Sequence, residues 1–117
     1  PRPSYGSGVP EYAPYPFSTA RLLERGAADV LVWVSSFSES RTPPRTAVPT
    51  VVLGRAGMAL PVPPAVFVPV GTPGIDHAGH LFRTDRVVAL PLARLRRSEL
   101  PSVAQVVEAI EEALSCS

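Results

Sequence analysis

The chain of 117 residues has no lysine, no asparagine and one cysteine, Cys116. A single cysteine excludes an internal disulfide, and it excludes a cysteine-rich zinc or iron–sulfur site built by this chain alone. All 11 basic residues are arginines, which we attribute to the codon usage of a GC-rich genome rather than to special chemistry. With so little cysteine, a cytoplasmic setting is the expectation.

Long apolar runs and a strong net charge are also missing. No segment approaches 18 consecutive apolar residues, and residues 1–16 lack the apolar centre of a secretory leader, so we expect no membrane span. The formal net charge is only +1 at pH 7, and most arginines are interleaved with acids, which argues against a nucleic-acid partner. The one basic cluster, Arg94, Arg96 and Arg97, is interpreted as a solvated loop edge.

Proline is abundant, with 15 residues in the chain. Five prolines fall within residues 1–16 together with three tyrosines, so neither a helix nor an interior strand is expected there. We interpret residues 1–16 as an arm or linker, with an extended partner-binding surface as the alternative. The chain begins inside this segment and without a methionine, and we expect it to be part of a larger subunit.

Local patterns predict one short helix and four strands. The helix covers residues 17–26, with Ser18 or Thr19 as its N-cap and Gly26 at its end. The strands are the apolar and β-branched runs 29–34, 50–54, 65–70 and 87–91. Their continuous apolar character, without alternation of polar residues, is typical of strands buried in a parallel sheet.

A second helix gives the strongest local signal in the chain. Apolar residues recur at spacings of three and four, at Val103, Val106, Val107, Ile110 and Leu114. Upstream, "SVAQ" has the serine and glutamine spacing of a capping box, and the glutamates fall mostly on the opposite side. The sequence therefore predicts a terminal amphipathic helix.

Together these elements predict an α/β fold, with a mostly parallel, three- to four-stranded partial sheet and a terminal amphipathic helix. Parallel strands need long crossover connections, usually helical, but the segments 35–49 and 55–64 contain almost nothing that could form a helix. One face of the sheet should therefore remain uncovered within this chain. We expect other polypeptide, from the same subunit or from a partner, to cover that face.

Candidate ligands are concentrated in one stretch, where Asp76, His77 and His80 carry groups that bind zinc or iron. Prolines and glycines around them predict a loop, and two nearby loop histidines are more often solvated or hydrogen-bonded, so we do not predict a metal site. The segment "GRAG" at 54–57 lacks the following helix that a phosphate site needs, and no Gly-x-Ser-x-Gly elbow occurs. We predict no catalytic residue and no metal ligand in this chain.

The stretch "FVPVGTPGIDHAGHLFRTDRVVALPL", residues 67–92, resembles the C-terminal part of the B subunit of formylmethanofuran dehydrogenases. Gly74, Ile75, Gly79, Arg83 and Asp85 occupy the positions of that family's Gly-Ile…Gly…Arg-x-Asp pattern. The upstream helix and strands follow the same order. The resemblance implies that residues 17–117 form part of a Rossmann-like segment of the molybdopterin oxidoreductase fold, with sheet partners lying earlier in the same subunit.

Two branches of the family need to be separated. The archaeal subunit binds tungstopterin or molybdopterin, whereas the similar subunit of the bacterial formyltransferase/hydrolase complex has lost the metallopterin. This chain has Ala78, Gly79 and His80 where pterin-binding members tend to have "E-G-T", and losing two hydrogen-bonding side chains would weaken binding by about 1–3 kcal/mol each. The resemblance therefore favours the bacterial complex and no cofactor in this chain.

For that complex the resemblance implies conversion of formyl-tetrahydromethanopterin to formate through a methanofuran-like carrier. Transfer and hydrolysis would take place on neighbouring subunits, which would be the partners of this chain, and its own role would be structural. The alternatives are a metallopterin-binding catalytic subunit of a formylmethanofuran dehydrogenase, in which His77 and His80 replace the lost contacts, and a freestanding α/β binding module.

Four residues are the best candidates for any contact that survives from a pterin site: His77, His80, Arg83 and Asp85. The resemblance implies this role, as remnants of a cofactor-binding loop. The competing interpretation is that Arg83 and Asp85 form an ion pair that holds the loop, because such pairs are commonly structural.

Overall fold

The computed structural model describes residues 13–83, 85 and 88–116 of the chain. Most of the predicted arm, residues 1–12, lies outside the described residues, and so does Val87, the first residue of the fourth predicted strand. The elements follow in the order α1, β1, β2, β3, β4, β5 and α2. The fold is a small mixed α/β domain.

The first helix, α1, covers Thr19–Glu24. Ser18 is its N-cap, because the side-chain oxygen accepts a hydrogen bond from the backbone N–H of Arg21. The chain leaves the helix through Gly26, whose φ of 64° lies in the left-handed region that favours glycine. The predicted helix is confirmed, two residues shorter at each end, and none of its residues is buried.

Three of the predicted strands form one parallel sheet. They are β1, Leu31–Ser35, β2, Thr50–Gly54, and β3, Val66–Pro69, in the spatial order β1-β2-β3. The register sets Val32 beside Val51 and Val51 beside Val66. Residues in register on parallel strands point to the same side, so this row of valines shares one sheet face.

The two outer strands leave that shared face open, and we call Val32, Val34 and Val66 the valine face. Leu53, on the central strand, is 0% exposed, whereas Val32 is 53% exposed and the other two valines are about half exposed. The expectation of an uncovered face is confirmed. Burial of β1 on both faces is not achieved within this chain.

The remaining strands form a separate antiparallel pair. β4, Gly79–Arg83, pairs with β5, Val88–Leu92. The strand predicted at 87–91 is thus present, but it does not extend the parallel sheet, and residues 79–83 are a strand rather than the predicted loop. The mostly parallel sheet of three to four strands is corrected to three parallel strands plus a two-stranded ribbon. A short turn suffices to pair neighbouring segments in antiparallel fashion, whereas a fourth parallel strand needs a long crossover.

The second helix, α2, covers Val103–Ser115. The capping box is confirmed: Gln105 N–H donates to Ser102 Oγ at 3.1 Å, and Ser102 N–H donates to Gln105 Oε1 at 2.9 Å. None of the residues of α2 is buried. Neither helix of the described ranges is long and apolar enough to cross a lipid bilayer.

We expect truncation of Leu53 and Val32 to have very different effects on stability. Leu53→Ala removes a fully buried side chain and should lower the free energy of unfolding by about 2–5 kcal/mol. Val32→Ala, on the same face of the neighbouring strand, should cost less than about 1 kcal/mol because that side chain is half exposed. Urea unfolding of the chain measures both; equal losses would contradict an open valine face.

Candidate functional site

The carboxyl ends of the three parallel strands meet at one edge of the sheet, which is where α/β sheets bind ligands. Ser35 and Ser36 are buried at the end of β1, and Thr72 and Asp76 are buried shortly after β3. We call residues 71–77 the strand-end turn. This turn contains the most deeply buried charged side chain among the described residues, that of Asp76.

The strand-end turn satisfies its own backbone. The N–H groups of Ile75 and Asp76 both donate to the carbonyl of Thr72, at 3.1 and 2.9 Å, and Gly74 N–H donates to His77 O at 2.8 Å. Gly74 has a φ of 81°, which glycine adopts without strain. Since these amides are already used, they do not form a cradle for an anionic ligand.

Asp76 holds the turn through both carboxylate oxygens. Oδ2 accepts a hydrogen bond from Thr72 N–H at 2.8 Å, and Oδ1 accepts one from Arg96 Nε at 2.5 Å. The aspartate side chain is 3% exposed, and that of Arg96 lies largely in solvent. The hydrogen bond from Arg96 is the main cause that lowers the pKa of Asp76, and the bond from Thr72 lowers it further, despite the opposing effect of burial. The hydrogen bond to Asp76 raises the pKa of Arg96.

The strand-end turn also forms hydrogen bonds with three other parts of the chain. Thr72 Oγ1 donates to Ser36 O at 3.0 Å, which ties the turn to the end of β1. The N–H groups of Leu95 and Arg96 donate to Ile75 O at 2.9 and 3.0 Å, which brings in the segment after β5. Before α2, Pro101 O accepts a hydrogen bond from Gly71 N–H at 2.8 Å.

The four predicted contact residues do not form one cluster. The imidazole of His77 hydrogen-bonds Ala78 O through Nδ1 at 2.7 Å, while its buried Nε2 has no partner among the described residues. His80 and Arg83 lie on β4 three residues apart, so their side chains point to opposite faces of the ribbon. A cofactor-binding role for this set remains a prediction.

The structure contains the ion pair of Arg83 and Asp85 that the competing interpretation predicted. The two side chains form an exposed ion pair, with Arg83 Nε donating to Asp85 Oδ1 at 3.1 Å. His80 lies beside Phe82, with ring centroids 6.5 Å apart. In the described ranges no three side chains of histidine, cysteine, aspartate or glutamate are grouped as a metal site would require.

Sequence reasoning missed the ion pair of Asp76 and Arg96. It considered Asp76 as a metal ligand and Arg96 as one member of a solvated basic cluster, yet the two residues, 20 apart in the chain, form the main electrostatic contact of the turn. The one local signal was the spacing of Thr72 and Asp76, which allows an aspartate to accept a bond from a nearby amide. Nothing local indicated the partner arginine.

Exposed apolar side chains form further surfaces besides the valine face. The α2 stripe consists of the residues that recur at helical spacing, with Val107 48% and Ile110 41% exposed. On the β4–β5 ribbon, Leu81, Phe82 and Leu90 are exposed. Contiguous exposed apolar surface marks sites of protein interaction.

We expect stability to depend on the ionised form of Asp76. Because its pKa is lowered in the folded chain, the contribution is fully present above the unfolded-state value, about 3.9, and is lost as pH falls through the lower folded-state pKa. Asp76→Asn should therefore lower the urea midpoint near neutral pH, with a gap to the unchanged protein that closes in acid. Asp29→Asn, at an exposed position, is the control; a gap independent of pH would refute this role.

Comparison with known proteins gives a likeness to a solved structure. No protein-family model and no curated protein matches the chain. Among solved structures, a chain of the formyltransferase/hydrolase complex (FhcABCD) from Methylorubrum extorquens, solved with methylofuran, is similar at a TM-score of 0.76 and 28% identity. The match covers 97% of this chain and 33% of that one. The chain thus spans about a third of the length of the protein chain it matches.

Proposed function

We propose that this chain is part of a structural, non-catalytic subunit of a formyltransferase/hydrolase complex, of the B-subunit type. In this proposal the complex works in one-carbon metabolism in the cytoplasm and converts formyl-tetrahydromethanopterin to formate through a methanofuran-like carrier. The likeness over 97% of the chain to a component of such a complex carries the proposal. The carrier is handled by neighbouring subunits.

The open surfaces support a role in assembly. The valine face exposes half of each of three side chains, and no residue of α2 is buried. Each exposed apolar side chain favours coverage by other polypeptide, because its burial contributes about 25 cal/mol per Å² removed from water. We infer that the parallel sheet is a Rossmann-like segment completed by the remainder of its own subunit.

The strand-end turn supports a structural rather than a catalytic role. A general base or nucleophile must be within reach of a reacting group, but both carboxylate oxygens of Asp76 are bound to Thr72 and Arg96. The ion pair of Arg83 and Asp85 is exposed to solvent. The described side chains in this region hold segments together.

A metallopterin-binding catalytic subunit is the alternative, and the residues of the strand-end turn and of β4 do not fit that cofactor. His80 and Arg83 point to opposite faces of β4, and the amides of Gly71, Thr72 and Gly74 are used within the chain. We propose that no tungstopterin or molybdopterin is bound here. The unpartnered Nε2 of His77 is the one observation, among the described residues, that keeps the alternative worth testing.

Metal content separates the two functions. We expect the full-length subunit, co-purified with its partner subunits, to contain neither tungsten nor molybdenum in stoichiometric amount and to release no pterin on denaturation. Elemental analysis and fluorescence of the released material are the measurements. Stoichiometric metal together with a pterin would overturn the structural role.

Substitution of the predicted contact residues gives a second test. The double variant His80→Ala, Arg83→Ala should leave formate release by the assembled complex within about twofold, since exposed side chains usually contribute less than about 0.5 kcal/mol. The charge-matched control is Arg94→Ala, outside the ribbon. A loss of formate release by the double variant alone, with assembly intact, would show that β4 contacts a reacting molecule.

A further inference from the structure

Residues 94–101, between β5 and α2, lie across the strand-end turn, and we call this segment the strap. At its start, the N–H groups of Leu95 and Arg96 donate to Ile75 O at 2.9 and 3.0 Å. At its end, Pro101 O accepts a hydrogen bond at 2.8 Å from the first amide of the turn. The strap therefore occupies the edge of the sheet at which α/β proteins bind ligands.

Polar bonds to the turn, rather than burial, hold the strap in place. None of residues 94–101 is buried, and Leu95 is 78% exposed. The side chain of Arg96 donates from Nε to Asp76 Oδ1 at 2.5 Å and is itself 63% exposed. A segment held by solvent-exposed hydrogen bonds, with few apolar side chains buried, opens at a lower free energy than the core of a fold.

The strand-end turn has further bonds in which the strap takes no part. Gly74 N–H donates to His77 O at 2.8 Å, and Asp76 N–H donates to Thr72 O at 2.9 Å. These bonds lie inside the turn, so the turn can keep its shape when the strap leaves. Departure of the strap would then free only the groups that it had bonded.

We propose that the strap opens and closes over this edge as one unit, and that the ion pair of Arg96 with Asp76 is its latch. When closed, the strap uses the polar groups that a ligand at this edge would need. When open, it releases Gly71 N–H, Ile75 O and one carboxylate oxygen of the latch. A ligand of the turn must displace the strap, so its affinity is reduced by the fraction of molecules that are closed.

Hydrogen–deuterium exchange resolved to single amides tests this in the full-length subunit, co-purified with its partner subunits. The amides of Gly71, Leu95 and Arg96 bond across the contact between strap and turn. In the unchanged protein we expect their protection to agree within about threefold, because one opening event frees all three.

Substitution of the latch gives the second measurement. Arg96→Ala should raise the exchange rates of those three amides together, at least about tenfold, because Asp76 loses its charged partner. Arg96→Lys, which keeps the charge, should raise them less. Arg97→Ala, which removes a neighbouring exposed arginine, is the matched control and should leave them unchanged. The amide of Gly74, bonded inside the turn, should keep its rate in all three variants.

Three results would overturn the proposal. Clearly different protection of Gly71 and Leu95 in the unchanged protein would show that the two ends of the segment open separately. Faster exchange at Gly74 in Arg96→Ala would show that the arginine maintains the turn itself rather than the strap. Equal effects of Arg96→Ala and Arg97→Ala, including no effect of either, would exclude the ion pair as the latch.

Discussion

The carboxylate of Asp76 organises the carboxyl-terminal edge of the sheet. A nearly buried charge is tolerated only when it is paired and hydrogen-bonded. Here one carboxylate oxygen accepts a hydrogen bond from the amide of Thr72, and the other accepts one from Arg96, which follows the ribbon in the chain. Thr72 in turn holds the end of β1 through Ser36 O. Removal of Arg96 alone would leave a buried charge without its cation, which is worse than the absence of both groups.

Among the three parallel strands, the central one is buried on both faces. Val52 and Leu53 are adjacent in sequence, point to opposite faces of the sheet and are both 0% exposed, so β2 is covered on both sides. The outer strands have no such cover, as Val32 and Val66 show. Burial therefore falls from the central strand to the two outer strands of the sheet.

Signals that act over a few residues were sufficient to predict much of the fold. The two helices, their serine caps and the three parallel strands were found because capping, helical spacing and apolar runs are local properties. Strand β4 was missed because the prolines and glycines around it suggested a loop; in the structure Gly79 begins β4, where a Cβ would stand 3.1 Å from Pro73 Cβ. The pair of Asp76 and Arg96 could not be predicted, since only the folded chain brings these side chains together. Because residues 79–83 were predicted as a loop, the sequence did not reveal that His80 and Arg83 point to opposite faces of a strand.

The bond between Gly71 N–H and Pro101 O has a mechanical consequence. It lies one residue before the cap Ser102, so the origin of α2 is clamped to the sheet although the body of the helix is not. This bond holds the start of the 13-residue helix, whereas no residue of the helix itself is buried. A polypeptide that bound α2 would therefore lie within one helix length, about 20 Å, of the loops that follow the parallel strands.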